Sequence, residues 1–180
     1  MHMMNDQLSQ QVPVMSSPIE LLYADFANEH ASTRRMLQRY PDGKGDWRPH
    51  EKSRALAPLA THVADIVNRG TMLLETDGMD VAGRQPVAPI DSATGLVRYF
   101  DGNVSRFMTA LGGADLDALA RPWALRRGSQ VIIEGPRRTL LRTMMMSHLV
   151  HHRAQLGVYY RLLGVPVPGV YGPSADEPIP

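Results

Sequence analysis

The chain of 180 residues contains no cysteine. This absence excludes a disulfide framework, a metal site built on thiolates and a cysteine nucleophile. Long apolar runs are also missing, so no segment is suited to crossing a bilayer. The start of the chain, MHMMNDQLSQQVPV, has neither the basic residues nor the apolar run of a secretory signal. We therefore expect a cytoplasmic protein with no membrane partner.

A strong net charge of either sign is absent as well, because the formal net charge is +1. Six arginines do crowd one stretch: Arg121, Arg126, Arg127, Arg137, Arg138 and Arg142. A nucleic-acid-binding domain combines a clearly basic balance with a recognisable reading element, and the sequence has neither. We therefore expect no nucleic-acid partner. The length and the 43% hydrophobic content fit one domain with a real core. We expect a mobile leader at residues 1–15 and one folded domain at residues 16–180.

Four segments show the three- and four-residue apolar spacing of amphipathic helices. The first begins at Ser17 and Pro18, which suit a cap and a first helical position, and either Asp91 or Ser92 could cap the third. The predicted spans are residues 17–37, 56–75, 92–112 and 136–163. Glycine and proline mark residues 40–53 and 76–89 as loops.

The region before the last helix has a different pattern. Residues 131–133 are a β-branched run bounded by glycines, which predicts a short strand or hairpin-like excursion. The tail VPVPGVYGPSADEPIP is too rich in proline for regular structure. The predicted fold is therefore all-α: a four-helix bundle with a short irregular or β-like excursion before the last helix and an extended, proline-rich C-terminal tail.

The segment HLVHHRAQ, residues 148–155, is the most informative part of the sequence. His148 and His152 are four residues apart, so their imidazoles lie one turn apart on the apolar face and can converge on one ion. His62, at the edge of the apolar face of the second helix, is the best candidate for a third ligand. The alternative is that these are ordinary core histidines held by hydrogen bonds.

Four further residues are candidates for a supporting role. His30 lies on the apolar stripe of the first helix and could be a fourth ligand, a donor to a ligand or a plain core histidine. Asp65 could orient a ligand imidazole or be a surface carboxylate. His151 faces either solvent or a partner of a ligand. Arg153 could bind a carboxylate substrate, orient a partner or form a structural salt bridge.

Three neutral imidazoles would leave a divalent ion its full charge and an open position, which is typical of a catalytic site. Imidazole suits zinc, nickel, copper and iron. The zinc-protease pattern HExxH needs a glutamate directly after its first histidine, and Leu149 occupies that place. The sequence therefore supplies no general base for peptide hydrolysis. We interpret the run of residues 144–146, all methionine, as helix packing whose members face different directions.

The chain resembles the DinB-like (YfiT-related) superfamily of metal-binding four-helix bundles. The matching segments are ATHVADI around His62, WRPHEKS at residues 47–53 and SHLVHHRAQLGVYYRLLGVPVPGVYGPSADE at residues 147–177. The resemblance implies a metal triad at His62, His148 and His152, with zinc or nickel as the usual ion, and it implies a homodimer. Some members of the superfamily use low-molecular-weight thiols, and others are described as metal-dependent hydrolases.

Three functional hypotheses follow. The first is a metal-dependent hydrolase or thiol transferase that acts on a small-molecule substrate through the open position, with a low-molecular-weight thiol as a second cofactor. The second is a non-catalytic, metal-binding stress-response protein whose ion stabilises the bundle. The third is a bundle that only mediates assembly and binds no metal.

Overall fold

The computed structural model describes the backbone of residues 18–178 and the side chains of residue 19 and residues 24–178. The predicted leader and the cap at Ser17 lie outside the described residues. Three long helices match the sequence periodicity closely: α1 (Pro18–Gln38), α2 (Leu56–Glu75) and α3 (Ala93–Gly112). Ser92 caps α3, because its side-chain oxygen accepts a hydrogen bond from the backbone amide of Gly95 at 3.2 Å.

The core forms around α2, which packs against α3 and the last helix. The predicted stripe of α2 is buried, with members Leu59, Val63, Ile66, Gly70 and Leu73. The stripe of α3 also faces the core, where Phe100, Phe107 and Leu111 are fully buried. The predicted bundle architecture is therefore confirmed.

Three short strands, which follow α2 and precede the last helix in the sequence, form a small sheet. Strands β2 (Pro122–Arg127) and β3 (Gln130–Pro136) form the predicted hairpin around Gly128, whose φ of +57° favours glycine. The predicted loop at residues 76–89 is wrong in part, because it contains strand β1 (Gly78–Asp80), which pairs in parallel with β2. A short helix, α4 (Leu116–Ala120), was also not predicted from the sequence.

The last helix is one continuous run in three parts: α5 (Arg137–Leu140), a π-helical segment (Leu141–Ser147) and α6 (His148–Leu162). The prediction of a single regular helix misses the π-helical segment. Met144, Met145 and Met146 of this segment are all buried, although consecutive residues of an α-helix point about 100° apart. The π-helical segment ends directly before His148, so it sets where α6 presents its histidines.

The C-terminal tail packs in extended form over the bundle, as predicted. Val167 and Val170 contact the core, and Glu177 forms ion pairs with Arg35 and Arg39 of α1. Within residues 18–178, no helix combines the length and the apolar character that a membrane span requires.

Candidate metal centre

The three histidines predicted from the sequence lie together between α2 and α6. His62 follows the buried Thr61 on α2, at the edge of the apolar face, and its side chain is half-buried. His148 is the first residue of α6, and His152 lies one turn further along. We call His62, His148 and His152 the histidine cluster. Each offers a ring nitrogen, and these three atoms all lie within 4.8 Å of one another.

The spacing within the cluster fits one shared ion. Nε2 of His62 and Nε2 of His148 are 3.0 Å apart. A tetrahedral ion with Zn–N bonds of about 2.0–2.1 Å would hold two nitrogens about 3.3 Å apart. The ring centroid of His152 lies 4.6 Å from that of His62 and 4.5 Å from that of His148. The 3.0 Å separation also suits a hydrogen bond between one protonated and one unprotonated nitrogen, so the donor set is compatible with a metal without requiring one.

Gln155 orients one member of the cluster. Its side-chain oxygen lies 2.7 Å from Nδ1 of His152. Because an amide oxygen can only accept, Nδ1 of His152 carries the proton and donates it, which leaves Nε2 with a free lone pair. Metal-ligating histidines are commonly held in this way through the ring nitrogen that does not bind the ion. Gln155 was not among the predicted site residues, although its position one turn after His152 was a usable signal.

The surroundings of the cluster keep its imidazoles neutral. Burial, followed by the positive charge of Arg54, lowers the pKa of His62 from 6.5 to about 3. Burial, followed by the charge of Arg69, lowers the pKa of His148 to about 4. The pKa of His152 is also lowered, mainly by burial. Neutral imidazole is the form that binds a metal ion, so the donors are available at neutral pH.

Two of the candidate supporting residues contact α3 and not the cluster. Asp65 accepts a hydrogen bond from the hydroxyl of Tyr99 at 2.7 Å. His30 lies 3.9 Å from the carboxylate of Asp101, and its ring packs beside Phe100 on α3. Within the described residues, His62, His148 and His152 form the one group of three or more metal-ligating side chains, and no carboxylate belongs to it.

The other two candidates flank His152 on α6. His151 is exposed, and its ring centroid lies 4.8 Å from that of His152. Arg153 is buried and points to the opposite side, where it forms a 2.7 Å ion pair with Glu29 of α1. It also donates hydrogen bonds to the hydroxyls of Thr33 and Tyr171. Arg153 thus makes the structural salt bridge that was one of its three predicted roles.

His62 also lines a cavity of about 570 Å³ beside the cluster. Arg54, Arg69 and Arg84 line the same cavity. None of these three arginines was predicted from the sequence. Arg69 gave a signal, since it lies two turns after His62 on the same face of α2. Arg54 and Arg84 lie in loops, where sequence spacing does not indicate proximity.

The fold and the cluster together define a helical bundle with three neutral imidazoles that could hold one metal ion beside an open cavity. A family model described as the DinB family matches residues 15–179. The chain therefore belongs to the DinB family, as its motifs predicted. No curated protein matches it.

Solved structures with a similar fold carry the same family description. A DinB-like protein from Bacillus cereus ATCC 10987 is 23% identical, with a TM-score of 0.65 over 85% of this chain and 97% of that one. A DinB-like protein from Bacillus subtilis is 17% identical, with a TM-score of 0.63 over 81% and 96%. A protein from Exiguobacterium sibiricum 255-15, assigned to the DinB family, is 22% identical, with a TM-score of 0.58 over 83% and 94%. At these identities the likeness establishes the fold alone.

Proposed function

We propose that His62, His148 and His152 hold one divalent transition-metal ion, zinc or nickel, and that the protein uses it to act on a small molecule. The observation that carries this proposal is the convergence of three half-buried ring nitrogens within 4.8 Å at the edge of a cavity. The reaction is hydrolysis or thiol transfer. The ion when bound supplies Lewis acidity, which lowers the pKa of a water or thiol at its open position.

The protein's own residues have distinct parts in this proposal. The histidine cluster supplies neutral nitrogen donors from two helices. Gln155 holds the proton on Nδ1 of His152 and so keeps Nε2 free for the ion. Leu149 occupies the place of the HExxH glutamate, and no carboxylate within the described residues joins the cluster. The absence of a carboxylate among the described members of the cluster favours a nucleophile that ionises without one, such as a low-molecular-weight thiol.

The position of the cluster favours a second candidate, a non-catalytic stress-response protein whose ion stabilises the bundle. His62 belongs to α2, whereas His148 and His152 belong to α6, so an ion held by all three would link two packed helices. Binding to the folded state alone adds its binding free energy to folding stability. The absence of a carboxylate from the described histidine cluster is consistent with this candidate too.

Elemental analysis of the purified protein tests metal binding, which both candidates require. We expect about one equivalent of zinc or nickel in the wild type, and loss of the ion in the His62→Ala and His152→Ala variants. His151→Ala is the matched control, because His151 is an exposed neighbour of His152 outside the cluster, and it should retain the ion. A wild type that takes up no metal even with excess ion contradicts both candidates and favours a bundle that only mediates assembly.

A second measurement separates the two candidates. Turnover of a thiol or ester substrate by the loaded wild type, absent in His62→Ala, supports the enzyme. A large fall in melting temperature on metal removal, with no turnover on a thiol and ester panel, supports the stabilising ion. The homodimer and the cytoplasmic location stay predictions. Light scattering of the purified protein tests the first.

A further inference from the structure

The cavity beside the histidine cluster is unusually rich in positive charge. Its lining includes Arg54, Arg69 and Arg84 against a single carboxylate, Asp65. We call it the arginine cavity. Its volume of about 570 Å³ is within the range of about 300–1,000 Å³ that is typical of small-molecule sites.

Arg69 differs from every comparable arginine in the described part of the chain. Four arginines there are buried or half-buried: Arg34, Arg69, Arg137 and Arg153. Three of them form ion pairs with carboxylates, namely Arg34 with Asp101, Arg137 with Asp77 and Arg153 with Glu29. Arg69 makes no hydrogen bond and no ion pair with any described residue. The carboxylate of Asp65, which carries the only negative charge on the cavity wall among the described residues, accepts instead from Tyr99.

The two neighbouring arginines are also available. The guanidinium of Arg84 contacts the thioether of Met79 at 3.3 Å and has no acidic partner within residues 18–178. The exposed side chain of Arg54 likewise makes no ion pair there. Withdrawing a cation from water is costly unless an anion compensates it. Burial lowers the pKa of Arg69, the charge of Asp65 offsets this in part, and the charges of Arg84 and Arg54 lower the pKa again. A negative group in the cavity would add to the compensation that Asp65 gives.

An apolar recess of about 100 Å³ adjoins the arginines. Arg69, Val81 and Arg84 line both the recess and the arginine cavity. The remaining wall of the recess is apolar and includes Leu73, Trp123, Leu125 and Met144. A ligand whose anionic group lies against the arginines could therefore extend a short apolar group into the recess.

We propose that the arginine cavity binds the anionic group of a small organic acid beside the histidine cluster, with Arg69 as its main partner and Arg54 and Arg84 at its sides. The anionic group is a carboxylate or a phosphate, either of which the planar guanidinium can bind through two hydrogen bonds. That this ligand is the substrate rests on the proposed function. Anion binding itself requires only the arginines.

Isothermal titration with hexanoate, its neutral counterpart hexanamide and butyl phosphate tests the proposal. The probes are titrated into metal-loaded and metal-free protein, so that binding to the arginines is separated from coordination to the ion. We expect hexanoate or butyl phosphate to bind both forms, and hexanamide to bind more weakly. Whichever anion binds more tightly identifies the class. Hexanamide that binds as tightly as both anions, or no binding by either anion, overturns the proposal.

Variants locate the binding. A hydrogen-bonded charged pair contributes enough that Arg69→Gln should weaken anion binding about 10- to 100-fold, whereas Arg69→Lys should recover part of it. Arg142→Gln is the matched control, because Arg142 is an exposed arginine that pairs with Asp25, and it should bind like wild type. Anion binding unchanged in Arg69→Gln overturns the proposal. If that variant does not fold, Arg84→Gln provides the same comparison.

Metal content measured on the same samples keeps the two proposals apart. Arg69→Gln should retain the metal of the wild type, because it removes a cation near the cluster and no ligand. Anion binding without metal uptake leaves the arginine cavity in place and contradicts the proposed function. Metal uptake without anion binding leaves the proposed metal site in place and contradicts the proposal for the arginine cavity.

Discussion

Gly70 offers a sharp test of the packing between α2 and the last helix. It lies in the buried stripe of α2. A Cβ added there would meet the sulfur of Met145 and would lie 2.6 and 2.7 Å from two ring carbons of Phe107. Met145 can move its flexible end, but the ring of Phe107 is fully buried and packs edge-on against Phe26 at a centroid distance of 4.7 Å. We expect Gly70→Ala to destabilise the protein.

The magnitude follows from two opposing effects. Alanine is favoured over glycine in a helix interior by about 0.8–1.0 kcal/mol. Forcing an extra methyl into a filled core costs about 1–3 kcal/mol. A matched control isolates the second effect, because Gly102 lies within α3, is exposed and has no atom within 4 Å of an added Cβ. Gly102→Ala should therefore stabilise, and the difference between the two variants should equal the steric cost, about 1–3 kcal/mol.

Chemical denaturation followed by circular dichroism measures this difference. If the slope m is the same in all three proteins, the midpoint of unfolding should be higher for Gly102→Ala than for the wild type. The midpoint for Gly70→Ala should be lower than that for Gly102→Ala. In melting temperature, each kcal/mol corresponds to about 2–4 °C for a chain of this size. Equal stabilisation by both substitutions would refute the packing of Phe107 against α2.

Three further predictions concern charges and the cluster. Burial lowers the pKa values in the histidine cluster below their ordinary value, so protonation favours the unfolded chain. The metal-free protein should keep the full stabilisation from its neutral imidazoles above about pH 6.5 and lose it as the pH falls toward the folded pKa values. The free energy of unfolding, measured by denaturation at several pH values, should depend less on pH in His62→Gln than in the wild type. An equal pH dependence in the two proteins would contradict this. Glu29→Ala leaves the buried Arg153 without its counter-ion and should lower the free energy of unfolding by about 3–5 kcal/mol, with metal uptake unchanged. A loss of metal in this variant would mean that Arg153 contributes to metal binding by the cluster. Gln155→Leu should weaken metal affinity about tenfold. This is the low end of the usual range for residues that orient a ligand, because Gln155 is exposed. An unchanged affinity in a competition titration would show that Gln155 does not orient His152 for metal binding.

The helices and the histidines could be predicted from the sequence because their signals are local. The stripe of α2 and the four-residue spacing of His148 and His152 depend only on the helical period. The hairpin of β2 and β3 was also indicated by a β-branched run between glycines. In each case the residues that carry the signal are close together in the chain.

The missed features depend on distant parts of the chain. Strand β1 has three residues and forms by parallel pairing with β2, more than forty positions later. Gly78 permits that pairing, since a Cβ there would lie 2.9 Å from the carbonyl oxygen of Ala124. The π-helical segment has no periodic signature, and the arginine cavity needs Arg84 to fold back beside α2. No pattern within one segment indicates these arrangements.

The charges around the cluster connect the two proposals. Burial, and after it the charges of Arg54 and Arg69, lower the pKa values of the histidines, which keeps the donors neutral, but the same positive charges repel a divalent cation. An anion bound at Arg69 would offset that repulsion, so each ligand should bind more tightly in the presence of the other. The factor must be the same in both directions, because coupling between two binding equilibria is reciprocal. A metal titration with and without hexanoate and a hexanoate titration with and without metal should therefore give one value. A factor below one would mean that the anion and the ion compete for the same space at the edge of the cavity.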